Sequence, residues 1–159
     1  IACVLFMGCS SKLTVDNSVT PDFDINRYLG NWYEIARFDH PFERGIDYAK
    51  ANYSLREDGK ITVTNTGIKN DLPKTALGKA KLTDTPALLR VSFFGPFYSD
   101  YRVLMVSEDY RYALVGSNSD NYLWILSRTR ILPDKDVYDI LTEAINRGYK
   151  VENFIWVDQ

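Results

Sequence analysis

The side chains able to do chemistry are few and scattered. His40 is the single histidine among 159 residues, too little for a histidine-based metal centre or a nucleophile–histidine–acid triad. Beside Pro41 it reads as a loop histidine rather than a haem ligand. The carboxylates Glu34, Glu43 and Asp47, and the group Asp134, Asp136 and Asp139, show no pairing beyond a solvated or helix-capping role. No glycine-rich phosphate loop, metal-ligand cluster or nucleophile elbow is present, so the residues call for no cofactor, no metal and no catalytic group. A net charge of -2 gives no basic footprint for nucleic acid. What the chain has in quantity is aromatic surface, with 11 Tyr, 8 Phe and 3 Trp. That is the material of strands and of apolar cavities, and it points to binding.

The elements that would hold such a cavity follow from periodicity. Asn26 to Leu29 reads as a helical turn, and Gly30 is the residue best able to turn the backbone out of it. From Trp32 the chain alternates, with Trp32, Glu34, Ala36 and Phe38 on one face and Tyr33, Ile35, Arg37 and Asp39 on the other. His40 to Asp47 breaks the pattern as a long loop. Further strands are expected at Ala49–Leu55, Ile61–Gly67, Ala76–Leu82, Leu88–Phe94, Tyr101–Ser107, Tyr112–Ser117 and Tyr122–Ser127, joined by turns such as Asp58-Gly59. About eight short strands with short connections predict an all-β, up-and-down antiparallel barrel able to hold one small ligand. Pro133-Asp134 opens a helix whose stripe of Val137, Ile140, Leu141, Ala144 and Ile145 should pack on the barrel's outside, with Arg147-Gly148 ending it. Phe154 to Val157 is expected to pin the tail to the barrel.

Three stretches carry a family resemblance. Gly30-Asn31-Trp32 with Tyr33-Glu34-Ile35 resembles the first signature of the lipocalins. Val103 to Tyr110, then Tyr112-Ala113-Leu114-Val115, resembles the second, with Glu108 where a Thr is usual. Leu123-Trp124-Ile125-Leu126-Ser127-Arg128 resembles the third. The text through Arg37-Phe38-Asp39 is similar to the bacterial and apolipoprotein D branch, and the resemblance covers roughly Asp22 to the C-terminus, a lipocalin domain of residues 22–159. It implies an eight-stranded barrel with one C-terminal helix outside, and a loop after the first strand that lies over the mouth, where Phe42 and Ile46 would help close it. If the barrel closes, Trp32 and Arg128 meet at one end, with a guanidinium over the indole capping the floor; such a contact is worth about 0.5 to 2 kcal/mol. Gly30, Trp32 and Arg128 are therefore read as barrel closure and not as catalytic.

Alternation assigns the cavity lining to Ala36, Phe38, Ala51, Tyr53, Ile61, Val63, Leu89, Val91, Phe93, Val103, Met105, Tyr122 and Trp124, with tyrosine hydroxyls and Asn65 available to orient a polar head. For Tyr112 to Ser117 the two faces are too alike to separate. An acyl chain gains about 0.8 kcal/mol per buried methylene in such a lining. The resemblance implies a carrier of fatty acids or lysophospholipids in the bacterial envelope. The alternatives are an envelope interaction protein with an incidental cavity, a carrier of another hydrophobic ligand such as haem, and an enzyme acting on a lipid in the cavity, which the lack of a cavity Cys or spare His disfavours. Family members dimerise, so a homodimer is a further expectation.

The first nine residues, Ile1 to Cys9, are apolar and then give way to Ser10-Ser11-Lys12. They are too few to span a bilayer, which takes about 20, and read as the tail of a signal peptide. Leu5-Phe6-Met7-Gly8-Cys9 resembles a bacterial lipobox, with Cys9 acylated and Ser10 after it a sorting signal for the outer membrane. The chain is accordingly expected to be anchored by lipid to the outer membrane, facing the periplasm, with residues 10–21 as a flexible tether. No cysteine follows Cys9, so no disulfide braces the barrel.

Overall fold

In the computed structural model residues 13–159 are described; Cys9 and the expected signal segment lie outside them. A turn of helix, α1 (Ile25–Tyr28), leads into eight antiparallel strands: β1 (Gly30–Phe38), β2 (Asp47–Leu55), β3 (Ile61–Lys69), β4 (Leu72–Leu82), β5 (Leu88–Phe94), β6 (Phe97–Val106), β7 (Tyr112–Gly116) and β8 (Leu123–Ser127). Each pairs with its neighbour, and β1 pairs with both β2 and β8, which closes the sheet into a barrel. Helix α2 (Asp134–Asn146) and a short strand β9 (Phe154–Trp156) complete the fold. Several strands run further than periodicity predicts, because hairpin pairing extends them: β3 and β4 continue to a tip at Asn70-Asp71, both with positive φ, and β5 and β6 meet at Gly95-Pro96.

Two apolar layers result. An inner cluster fills the barrel around Tyr28, Trp32, Tyr53, Ile61, Val63, Val103 and Val115. An outer cluster joins the wall to α2 through Leu104, Leu114, Ile125, Ile140 and Ala144, as most of the helical stripe requires, while Ile145 at its edge stays exposed. β7, whose faces periodicity cannot separate, puts Ala113 and Val115 inside and Tyr112 and Leu114 outside.

Strict alternation fails at bulges in β1 and β6. In β1, Glu34 faces Leu126 but Ala36 faces Ile125, so one extra residue has entered the strand. In β6, Val103 faces Val115 but Met105 faces Leu114. Beyond each extra residue the parity of the strand inverts. Ala36, Phe38 and Met105 thus join the outer layer and not the cavity lining, Phe38 packing edge-on to Phe154 at 5.0 Å. Arg37, expected outside, turns inward on the side of Trp124, its cross-strand partner.

The upper half of β1 leaves β2 and pairs instead with β9. The tail seals this seam: Val157 N donates to Ile35 O at 2.9 Å, Tyr48 N donates to Asp158 O at 2.7 Å, and the Gln159 amide nitrogen donates to Glu34 O and Ala49 O, each at 2.7 Å. Phe154 and Val157 are buried, as a pinned tail requires, while Ile155 and Trp156 stay exposed. From Leu13 to Pro21, a stretch that the sequence reads as tether, the chain lies along wall and helix, with Val15 buried and Asp16 N donating to Arg147 O at 2.8 Å.

Candidate functional site: the barrel interior

The floor is closed at the start of β1. Trp32 is wholly buried; its indole N–H donates to Tyr28 O at 2.7 Å, and the Arg128 guanidinium lies 3.8 Å over its ring. Arg128 also donates to Asn31 O and Arg27 O, both at 2.8 Å. It therefore ties α1, β1 and β8 together while capping the indole. Gly30 makes the turn between α1 and β1 at φ +99°, a value favourable only to glycine. Phe23 completes the plug, 5.1 Å from the ring of Tyr28.

Above the plug three phenols form a chain: Tyr28 and Tyr101 hydroxyls are 2.6 Å apart, and Tyr101 and Tyr53 2.9 Å. Burial pushes all three phenols above their ordinary range, so they remain protonated donors. Three O–H groups share two links, which leaves one proton for a ligand or water. Ile61, Val63, Leu89 and Val103 are essentially fully buried around this level, so the lower interior is packed. Ala51, Val91, Phe93, Tyr101 and Trp124 face inward yet keep part of their surface exposed. Phe93 seats in the space left by Gly78, where an added Cβ would meet its ring at 2.8 Å.

The mouth holds a charged group that sequence reasoning missed. Arg37 is buried and donates to the Glu34 carboxylate at 3.0 Å, to Ile46 O at 3.0 Å and to Glu43 O at 2.8 Å. One guanidinium thus holds the β1–β2 loop against the barrel. The Glu43 carboxylate points back inside, with His40 Nε2 at 2.6 Å, and accepts the Trp124 indole N–H at 2.9 Å. Tyr122 stacks on Trp124 at 6.0 Å, and His40 lies 5.4 Å from the Tyr122 ring. Arg37 Nε and His40 Nδ1 are buried without partners among the described residues. Closure is by Glu43 rather than by Phe42, which is 73% exposed.

The two carboxyls are poised oppositely. Burial, and then the charge of Glu43, hold the Glu34 carboxyl well above the usual range despite Arg37. Burial acts on Glu43 too, but hydrogen bonds from His40 and Trp124 outweigh it and its pKa lies below the ordinary value. Of the two, Glu34 keeps its proton to higher pH and Glu43 gives its proton up first. A sequence signal existed in Glu34 and Arg37 interrupting an apolar strand, but alternation put them on opposite faces.

Comparison with known proteins agrees with this architecture. A family model described as a lipocalin-like domain matches residues 23–159. The outer membrane lipoprotein Blc of Escherichia coli (strain K12) is 47% identical over 163 residues, 99% of this chain and 92% of that protein. Apolipoprotein D of Mus musculus is 36% identical over 152 residues, 89% of this chain and 79% of that one. Insecticyanin from the tobacco hornworm Manduca sexta superposes with a TM-score of 0.72 at 22% identity, covering 89% of this chain and 83% of its own; at that identity it speaks for the fold alone. Closed barrel, Trp32–Arg128 floor and matched sequence together place the chain in the lipocalin family.

Proposed function

We propose that this protein is a lipid carrier that takes a fatty acid or a lysophospholipid into the upper half of the barrel, and that it catalyses no reaction. Its kinship with outer membrane lipoproteins puts it at the outer membrane, and acylation of Cys9 would hold it there. The observation that carries the reading is the division of the interior: a packed, sealed floor, and inward-facing Ala51, Val91, Phe93 and Trp124 that keep part of their surface exposed. An acyl chain lying there has one entrance. Polar partners are available at both its ends, a spare phenol proton in the tyrosine chain and the unpartnered Arg37 Nε and His40 Nδ1 near the mouth. The His40 Nε2 atom is engaged by Glu43, which makes this ring a poor haem ligand and favours the lipid reading over that rival.

The test is to purify the domain from Ser10 onward without detergent, identify co-purified lipids by native mass spectrometry, and titrate it with a fluorescent fatty acid. A stoichiometric lipid is expected, with affinity reduced about a hundredfold in Val91→Asp, since a buried charge in the lining opposes an acyl chain. A protein that purifies empty and ignores lipids would refute the carrier.

A further inference from the structure

The mouth of the barrel presents an apolar rim. Phe42 in the β1–β2 loop, Leu72 at the β3–β4 tip, and Phe94 and Phe97 at the β5–β6 tip are 73%, 60%, 70% and 78% exposed. Three of the four loops at this end thus carry a large apolar side chain in water, and the Phe94-Gly95-Pro96-Phe97 tip has no charge at all. Scattered exposed apolar residues are ordinary, but a ring of them around one opening is the mark of a contact surface. Behind the tip, a groove of about 420 Å³ on the outer wall is lined by Lys81, Arg90, Pro96, Phe97 and Tyr98. The Lys81 and Lys79 ammonium groups lie 4.0 and 5.8 Å over the Tyr98 ring. Cations stand one step back from the apolar tip, the order in which a lipid surface presents phosphates outside acyl chains.

The described chain also begins at this end. Thr14 Oγ1 donates to Asp120 at 3.0 Å and Asn17 donates to Ser117 O at 3.1 Å, both partners in the β7–β8 loop of the mouth. Cys9 precedes Leu13 by four residues, a reach of at most about 14 Å when fully extended. An acyl group on Cys9 would therefore hold the mouth, and not the floor, against the bilayer.

We infer that the open rim docks on the lipid bilayer, with Phe42, Leu72, Phe94 and Phe97 in the interfacial layer, so that cargo passes between membrane and barrel without crossing water. The inference rests on the reading of Cys9 as acylated and of the barrel as a lipid carrier.

Flotation with vesicles of phosphatidylethanolamine and phosphatidylglycerol tests it, using the chain from Ser10 onward so that neither the apolar leader nor an acyl group can hold it. The chain should float with the vesicles. Phe94→Asp with Phe97→Asp should lower the bound fraction about tenfold. Leu55→Asp, at a side chain 55% exposed at the closed end, should change nothing. In the acylated chain the tip pair should slow uptake of a fluorescent fatty acid from vesicles while leaving its affinity in solution intact. Equal loss from Leu55→Asp, or no loss from the tip pair, overturns the docking. So does a tip pair that turns a dimer into a monomer with no effect on flotation, since the rim would then cover a second copy. Failure of the chain to bind fatty acid in solution strikes the carrier reading instead, and flotation still reports on the rim.

Discussion

Trp32 and Trp124 stand on neighbouring strands of one barrel and face the same interior, yet their surroundings differ in kind. Trp32 at the floor has no exposed surface; its N–H is spent on a carbonyl four residues away and its face lies under Arg128. Trp124 at the mouth is part-exposed, and its N–H goes to a carboxylate 81 residues distant, on a loop that Arg37 holds in place. The floor is fastened by packing and short-range hydrogen bonds, which change little with conditions. The mouth is fastened by coupled charges, which respond to pH and to whatever binds among them. A container needs that asymmetry: one end that never opens and one that can.

Truncating both indoles should give the largest difference between the two ends. Trp32→Ala should cost about 3 to 5 kcal/mol of stability, the range for a large aromatic lost from a packed site, seen as a shifted denaturant midpoint. Trp124→Ala should cost about 1 to 2 kcal/mol, because less surface is withdrawn from water, and should weaken fatty acid binding more than folding. Equal costs would mean that the mouth is as rigid as the floor.

A second contrast is in pH. Glu34 holds its proton in the fold at pH values where a free glutamate has lost it, so folding takes up a proton and stability falls as pH rises from about 4.3 towards the raised folded value. Glu43 has a lowered pKa, so its contribution is present above the ordinary glutamate range and is lost as pH falls through the folded value. Glu34→Gln should therefore melt higher than the parent at neutral pH, with the gap closing on acidification. Thermal melts across pH 3 to 9, a range of about six units around the reference glutamate value, check this; a gap independent of pH would sink the assignment. The tyrosine chain near the floor, raised by burial, should add no slope in that range. The smallest effect is expected at the seam: Gln159→Ala removes two hydrogen bonds to the backbone of β1 and β2 and should cost about 1 kcal/mol, with faster hydrogen exchange confined to the upper part of β1.

Much of the barrel was legible because its signals are local. Alternation marks strands, Asp58-Gly59 marks a hairpin, and the α2 stripe marks its buried face, since each depends on residues a few positions apart. Tyr53, Ile61, Val63, Val91, Phe93, Val103 and Trp124 accordingly face inward as alternation predicts. Ala36, Phe38 and Met105 do not, because Ile35 and Leu104 are extra residues in their strands, and nothing in the text of one strand shows how its neighbour will take up the slack.

Period and order along the chain suffice for a barrel of about eight strands, its outer helix, and the pairing of Trp32 with Arg128. Which side of each bulge faces the cavity, and the meeting of Glu34, Arg37, His40 and Glu43 with Trp124 at the mouth, came only with the closed fold. Those outcomes depend on the register between strands, where a shift of one residue exchanges inside for outside, and register is settled by all the pairings of the closed sheet at once.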